Sequence, residues 1–134
     1  MKVLQIFFLL ALISSLSFGD EYREKMIISL AKDEQKKILV KYGEKEKLFK
    51  FRWTLYQNDG LVILRSYDQI VSQNVLYLRN KNQSFRVYLQ PKGARFHIVP
   101  YILLKFKAFD YESDEATFEL FLSDKNLQIS LKYL

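Results

Sequence analysis

Few residues of this chain have the chemistry of a catalytic or metal site, and the first of them is the single histidine, His97. An imidazole acts as a general base or a metal ligand only beside suitable partners. The chain has no cysteine and no second histidine, so a metal ion at His97 would need carboxylates as its other ligands. His97 alternates with Phe96 and Ile98, which predicts that it lies on the opposite face of a strand from them. We interpret it as an ordinary surface or half-buried residue.

Four acidic residues flank Tyr111, and paired carboxylates can act as general acid and base. They are Asp110, Glu112, Asp114 and Glu115. The run lacks the spacing and the glycine of a calcium loop, and its composition is typical of a solvated hairpin loop. No serine has the surroundings of a nucleophile elbow, and the glycines are isolated and turn-like. The sequence therefore predicts no enzymatic activity, no cofactor and no metal site.

A different chemistry is suggested by basic and aromatic residues on the polar side of the expected strands. These are Arg52, Tyr56, Arg86, Tyr88, Arg95, Tyr101, Lys105 and Lys107. If neighbouring strands pair in sequence, several of these side chains form one patch, which could dock an acidic protein, a lipid headgroup or a glycan. The alternative is a normal sheet exterior, where Lys and Arg oppose edge aggregation. We take the eight residues as the candidate partner-binding face.

The strands that would carry this face follow from a two-residue rhythm that begins at Lys47. Phe49, Phe51, Trp53 and Leu55 alternate with polar residues, which predicts one buried face. The turn at residues 58–60 then predicts a hairpin. Further strands are expected at residues 61–67, 74–79, 84–90, 95–99, 101–111, 116–123 and 127–133. Short turn-like separators between them favour an antiparallel arrangement.

The resulting fold class is mainly β: a seven- or eight-stranded antiparallel meander that forms a small barrel or sandwich. An inward face is predicted for large apolar side chains of these strands. It includes Phe49, Phe51, Trp53, Leu55, Val62, Leu64, Leu76, Leu78, Phe85, Val87, Leu89, Phe96, Ile98, Ile102, Leu104, Phe106, Phe118, Leu120, Leu122, Leu127, Ile129 and Leu131.

Residues 20–44 have a different pattern, in which Ile27, Leu30, Ile38 and Leu39 recur roughly at helical spacing. One or two short helices are expected there. Asp33 is a candidate N-cap of the second helix, and Gly43 is a candidate C-terminal stop.

The first 19 residues have the charged, apolar and small-residue order of an export signal. The apolar run at residues 3–13 is shorter than the roughly 20 residues that a membrane-spanning helix needs. Cleavage is expected after Gly19. The predicted organisation is therefore a signal peptide at residues 1–19, a helical segment at 20–44 and an antiparallel β domain at 45–134.

Location and partners follow from this organisation. An exported domain without cysteine cannot use the disulfides common in oxidising compartments, and with the short signal this favours a bacterial periplasm. Export argues against nucleic acid as a partner. The chain has 21 Lys and Arg against 15 Asp and Glu, an excess compatible with anionic lipid, cell-wall polymer or an acidic protein.

Resemblances point the same way. Residues 22–26, 34–43 and 49–56 make the chain similar to small exported proteins of epsilon-class Gram-negative bacteria, which implies a periplasmic location and carries no activity onto any residue. Trp53, in the first strand after a predicted helix, also resembles the tryptophan of lipocalins, although Phe51 replaces their glycine two residues earlier.

We therefore expect a non-enzymatic periplasmic domain that binds another envelope protein through its outward basic and aromatic face. One alternative is a carrier of lipid or another small apolar ligand with a lipocalin-like interior. A second alternative is a small outer-membrane β-barrel, which the charged residues on the outward row of the strands disfavour. The sequence does not predict the oligomeric state.

Overall fold

The computed structural model of the chain describes residues 22–79, 82–89, 98–125 and 128–134. The strands within these ranges are β1 Glu24–Ala31, β2 Lys36–Tyr42, β3 Lys45–Gln57, β4 Gly60–Tyr67, β5 Ile70–Tyr77, β6 Ser84–Tyr88, β7 Tyr101–Asp110, β8 Glu115–Ser123 and β9 Ile129–Tyr133. They form two antiparallel sheets, ordered β1-β8-β7-β6 and β5-β4-β3-β2-β9. The mainly β prediction is confirmed, and the described strands form two sheets rather than a closed barrel.

Each sheet combines a meander with one strand from the opposite end of the chain. Strands β2 to β5 pair in sequence order, and β9 is added beside β2. Strands β6 to β8 pair in sequence order, and β1 is added beside β8. The sequence predicted a single meander, whereas the structure has two shorter ones. The chain crosses from one sheet to the other after β1, after β5 and after β8.

The helices expected at residues 20–44 are wrong within the described part of that segment, where β1 and β2 lie. Met26, Ile28 and Leu30 point inward at a period of two, and β1 pairs along its whole length with β8. Asp33 and Gly43, interpreted as a cap and a stop, are turn residues with φ of 63° and 58°. The three-residue apolar runs at residues 26–28 and 38–40 fit a helical period and a strand period equally well. Pairing with distant strands decides that both segments are strands.

The core lies where the two sheets face each other, and its largest fully buried side chains are phenylalanines. Phe49, Phe51, Phe106 and Phe118 are fully buried. The ring centroids of Phe51 and Phe118 are 5.4 Å apart in an edge-to-face arrangement, which joins β3 of one sheet to β8 of the other. Trp53 adds a directional link, because its Nε1 donates to the Leu30 carbonyl of β1 at 2.7 Å.

Most of the predicted inward residues are buried, but β3 and β4 depart from the prediction. Leu55 is 45% exposed, and Leu61 and Ile63 are buried in place of Val62 and Leu64. The run of four apolar residues in β4 reads equally well in either phase, so its inward face was misassigned. Ile98 is also exposed, whereas Phe96 and Leu127 lie outside the described residues.

Two β-bulges explain further differences in side-chain direction. One lies between Trp53 and Leu55 in β3, and the other between Phe106 and Ala108 in β7. A bulge adds a residue on one strand and reverses the facing of every residue after it. Tyr56 and Phe109 consequently point inward, where their rings stack with centroids 4.1 Å apart.

Strand boundaries otherwise agree with expectation, with two exceptions. The strand predicted at residues 74–79 is β5, which begins four residues earlier at Ile70. The strand predicted at 95–99 lies mostly outside the described residues, and its described part, Ile98 and Val99, is not in a strand.

Candidate docking face

The outer face of the four-stranded sheet carries aromatic and basic side chains in three rows across the strands. We name this surface the basic aromatic face. Its rows are Tyr88 and Tyr101; then Arg86, Leu103, Phe121 and Lys25; then Lys105, Glu119 and Ile27, with Lys107 beside them in the bulge of β7. Because directly opposed residues of antiparallel strands share a face, the register alone brings these side chains together.

Cations of this face are held against aromatic rings. The guanidinium carbon of Arg86 lies 4.5 Å from the Tyr101 ring centroid. The Lys25 Nζ lies 5.7 Å from the ring centroid of Phe121. These are cation–π distances, and a cation packed on a ring has less side-chain entropy to lose on binding a partner. Arg86 and Lys25 are therefore partly pre-organised.

Exposed apolar surface lies directly beside these cations. Tyr88 is 55% exposed and Ile27 is 57% exposed, while Tyr101 beneath Arg86 is buried. The rings of Tyr88 and Tyr101 are 5.9 Å apart in an edge-to-face contact, and Tyr22 packs against Phe121 at 4.9 Å. A partner can thus contact aromatic surface and cations over the same few strands.

Glu119 is the one acid within these rows, and it is buried and paired. Its carboxylate lies 2.9 Å from the Lys25 Nζ and 3.8 Å from the Lys107 Nζ. The hydrogen bond from Lys25 lowers the pKa of Glu119, and the charges of Lys107 and Lys105 act in the same direction, so this carboxyl remains ionised. The four cations of the face outnumber this acid, which leaves the surface positive.

The hydrogen bond with Tyr88 and the field of Tyr101 raise the pKa of Arg86 above its usual value. Like any arginine it is a cation at neutral pH, and here it lies beside two phenol groups. Arginine and tyrosine are the residue types that most often dominate the energy of protein interfaces.

The eight candidate residues from the sequence do not all lie together. Five of them share the basic aromatic face: Arg86, Tyr88, Tyr101, Lys105 and Lys107. Arg52 lies on the outer face of the other sheet, opposite Leu64. Tyr56 is turned inward by the bulge in β3 and stacks on Phe109. Arg95 lies outside the described residues.

Five residues of these rows were not among the candidates from the sequence: Lys25, Ile27, Leu103, Glu119 and Phe121. Lys25 and Ile27, with the neighbouring Tyr22, were assigned to a helical segment, so they could not be matched to a sheet face. The alternation of Met26, Ile28 and Leu30 was the available signal, because it leaves Lys25 and Ile27 on the opposite side of a strand.

The other chemical candidates are isolated. Residues 111–114 form an exposed turn, in which the backbone N–H of Glu112 donates to Asp110 Oδ1 at 2.9 Å and lowers the pKa of Asp110. Across the ranges that the structure describes, no three acidic, histidine or cysteine side chains come together as a metal site would require. His97 lies outside those ranges.

Comparison of the chain with protein families, curated proteins and solved structures finds no match. Among the described residues there is also no helix with the length and apolar character needed to cross a membrane.

Proposed function

We propose that this protein is a non-enzymatic binding domain of the bacterial cell envelope that docks an envelope protein through the basic aromatic face. The observation that carries the proposal is the placement of Arg86 over Tyr101 beside the exposed Tyr88. Interfaces are typically centred on such aromatic and arginine anchors, surrounded by contacts that exclude water.

The chemistry of the face defines the complementary partner. Arg86, Lys105 and Lys107 favour a surface that presents carboxylates. Tyr88, Ile27 and Leu103 favour apolar side chains between those carboxylates. A partner of this kind gains affinity from burial of the aromatic residues, and it gains association rate and specificity from opposite charge.

The interior favours docking over the carrier alternative. A carrier needs apolar space between its sheets, whereas rings from the two sheets pack against each other here, with Phe51 and Phe118 5.4 Å apart and Tyr56 and Phe106 6.0 Å apart. Opening such a core for a ligand would remove packing that contributes several kcal/mol for each large side chain.

The test compares one arginine on each sheet. Wild-type protein, Arg86→Ala and Arg52→Ala are each used to recover partners from envelope extracts, and the affinity for any stoichiometric partner is then measured. We expect Arg86→Ala to weaken binding about 30-fold, as loss of an interface anchor does, and Arg52→Ala to bind as the wild type does.

Tyr88→Ala provides an independent check, since it removes exposed ring surface without removing charge. It should weaken binding by a similar factor. Equal binding by the Arg86 and Arg52 variants would contradict the proposal. So would binding of the wild type to anionic vesicles or cell-wall polymer with no stoichiometric protein partner.

Export is tested separately. The protein recovered from the periplasm of expressing cells should begin at Asp20 when its N-terminus is sequenced, because Gly19 precedes the expected cleavage site. Retention of residues 1–19, or accumulation in the cytoplasm, would remove the envelope location from the proposal.

A further inference from the structure

The edge strand β5 differs in composition from the other three strands at sheet edges. Its eight residues, Ile70–Tyr77, include no charge and no proline. Strands β1, β6 and β9 include Lys25, Arg86 and Lys132 respectively. Edge strands are usually kept from pairing with other chains by charges, proline, bulges or short length. β5 has none of these features.

The turn before β5 determines which of its backbone groups face outward. Asp68 and Gln69 both have positive φ, 51° and 69°, as in a two-residue type I′ turn. In such a hairpin the flanking residues, Tyr67 and Ile70, form a hydrogen-bonded pair, and every second pair along the strands does the same. Ile70, Ser72 and Asn74 therefore bond to β4, whereas Val71, Gln73 and Val75 direct N–H and C=O away from the sheet.

The end of the strand agrees with this alternation. Tyr77 has the same parity as Val75, and its N–H is donated outward to the Asn82 carbonyl at 3.1 Å. Within the described residues β5 is bonded to β4 as its one neighbouring strand. The outward groups of Val71, Gln73 and Val75 are thus positioned to accept a further strand.

The side chains around these groups are apolar or neutral. Val71 is 66% exposed and Val75 is 39% exposed on the outer face of the sheet, and Ile70 on the other face is 72% exposed. Adding a strand would cover this surface and pair the outward N–H and C=O groups of Val71, Gln73 and Val75 at the same time.

We propose that this strand is β5 of a second copy of the chain, paired antiparallel about a two-fold axis at Gln73. In this register Gln73 is opposite itself, Val71 is opposite Val75, and Ser72 is opposite Asn74. The outer face then has the Gln73 pair between two Val71–Val75 pairs, and the inner face pairs Ser72 with Asn74, so apolar residues meet apolar residues and amides meet an amide or a hydroxyl.

Charge also permits self-association at this strand. The chain has a net charge of +6, so most of its surfaces would repel a second copy, but β5 is neutral. On the outer face the nearest strand cations, Lys50 and Arg52, lie on β3, two strands inside the edge. On the inner face Arg65 lies on β4, one strand inside the edge, and its Nε donates to Asn74 Oδ1 at 2.7 Å. Across the paired sheet the two β3 strands are about 24 Å apart and the two β4 strands about 14 Å apart at the usual strand spacing, beyond the Debye length of about 8 Å.

The first experiment measures the mass of the purified protein by sedimentation at concentrations up to about 100 μM. We expect a concentration-dependent dimer. A protein that stays monomeric over this range overturns the proposal. A monomer that instead captures an extended segment of a different protein at β5 overturns it as well.

The second experiment uses charge at the two-fold axis. Gln73→Lys and Gln73→Glu each place like charges directly opposite one another, so each should raise the dimer dissociation constant about fivefold or more. An equimolar mixture of the two variants should recover the dimer, because opposite charges then meet. Gln57→Lys, at the exposed end of the interior strand β3, is the matched control and should dimerise as the wild type does.

Amide exchange gives a readout that does not depend on mutation. Raising the protein concentration should slow exchange at Val71, Gln73 and Val75, whose N–H groups face outward. Ser72 and Asn74 should not change, because β4 already holds their N–H groups. A dimer without this alternation, or without recovery in the mixed variants, would assign the interface to another surface and overturn the proposed pairing.

Discussion

The two ends of the molecule are closed in different ways. At one end, Trp53, Tyr56, Phe109 and Tyr111 form an aromatic cluster, in which Trp53 and Phe109 are 5.6 Å apart and Tyr56 stacks on Phe109 at 4.1 Å. Hydrogen bonds also contribute: the buried Trp53 Nε1 donates to the Leu30 carbonyl at 2.7 Å, and the exposed Tyr111 hydroxyl donates to the Tyr56 hydroxyl at 3.3 Å.

At the other end the closure is polar. The buried Asp124 Oδ2 accepts hydrogen bonds from Arg23 at 3.1 Å and from the Ile129 N–H at 2.6 Å, and Arg23 also donates to the Ile129 carbonyl. At the same ends of the strands, but on the other side of the sheets, the Tyr67 hydroxyl donates to the Leu89 carbonyl at 2.6 Å and links the two sheets. The Asp124 bonds join the residue before β1 to the residue after β8 and to the start of β9, and the Tyr67 bond joins β4 to the residue after β6.

The difference shows two routes to the same task. Aromatic packing stabilises roughly in proportion to buried area and tolerates small shifts of the rings. A buried carboxylate depends on hydrogen-bond direction, since removing it leaves the buried Ile129 N–H without its acceptor. The stability of the aromatic end should therefore depend on how much buried side-chain volume a substitution removes. The stability of the polar end should depend on which hydrogen-bonding atoms it removes.

The largest effect is expected from Trp53→Ala at the aromatic end. It removes a side chain that is 3% exposed, together with its hydrogen bond to Leu30, and should lower the free energy of unfolding by about 3–5 kcal/mol. Urea denaturation measures this change. Leu55→Ala, two residues along the same strand but 45% exposed, is the control and should cost less than about 1 kcal/mol. Similar decreases in the free energy of unfolding for both variants would contradict the claim that packing of the aromatic cluster stabilises this end of the molecule.

At the polar end, Asp124→Ala should lower the free energy of unfolding by about 2 kcal/mol. The change leaves the Ile129 N–H and part of Arg23 without an acceptor. Asp68→Asn is the comparison, because it removes the charge that pairs with Lys47 while asparagine tolerates the positive φ of this turn position, and it should cost less than about 1 kcal/mol. Equal losses of stability in the two variants would contradict the claim that the buried Asp124 carboxylate stabilises the fold more than the exposed Asp68 carboxylate does.

A matched pair of hydroxyl deletions sharpens the contrast. Tyr67→Phe should cost about 1 kcal/mol, because the Leu89 carbonyl loses its donor. Tyr111→Phe should leave the free energy of unfolding almost unchanged. Tyr111 is 70% exposed, so water can take the place of its hydroxyl as a hydrogen-bond partner. Thermal unfolding of the two variants measures the difference, and equal shifts in Tm would argue against it.

The smallest expected effect is a decline of stability in alkali. Burial, then the hydrogen bond with Tyr111, raises the pKa of Tyr56 to about 12, against about 10 in an unfolded chain. A raised folded-state pKa contributes stability that is present below pH about 10 and is lost as pH rises toward 12. Tyr56→Phe should show a shallower decline than the wild type. Phenolate absorbance should show a late-titrating group that the variant lacks.

Much of the fold could be predicted from alternation. From β3 onward the two-residue rhythm located most strands, and the turn before Gly60 was recognised from its residue types. The helix prediction for the segment that contains Met26 and Ile38 was wrong, because a run of three apolar residues fits a helix and a strand equally well. The inward face of β4 was predicted wrongly, because Leu61, Val62, Ile63 and Leu64 are all apolar and no polar residue among them marks the outward face.

The candidate docking face was predicted in part. Arg86, Tyr88, Tyr101, Lys105 and Lys107 follow from strand phase, which is local information. Tyr56 was misplaced because a bulge leaves no mark in residue types. Arg52 was grouped with the others because the sequence does not say which strands share a sheet.

The sequence by itself determined that this chain forms a sheet-rich domain with apolar inner faces, since side-chain period depends on neighbouring residues alone. The tertiary structure decided that β1 completes one sheet and β9 the other, and that two bulges turn Tyr56 and Phe109 toward each other. Those outcomes depend on hydrogen bonds between residues far apart in the chain, such as Trp53 with Leu30 and Arg23 with Asp124, whose energies no local pattern contains.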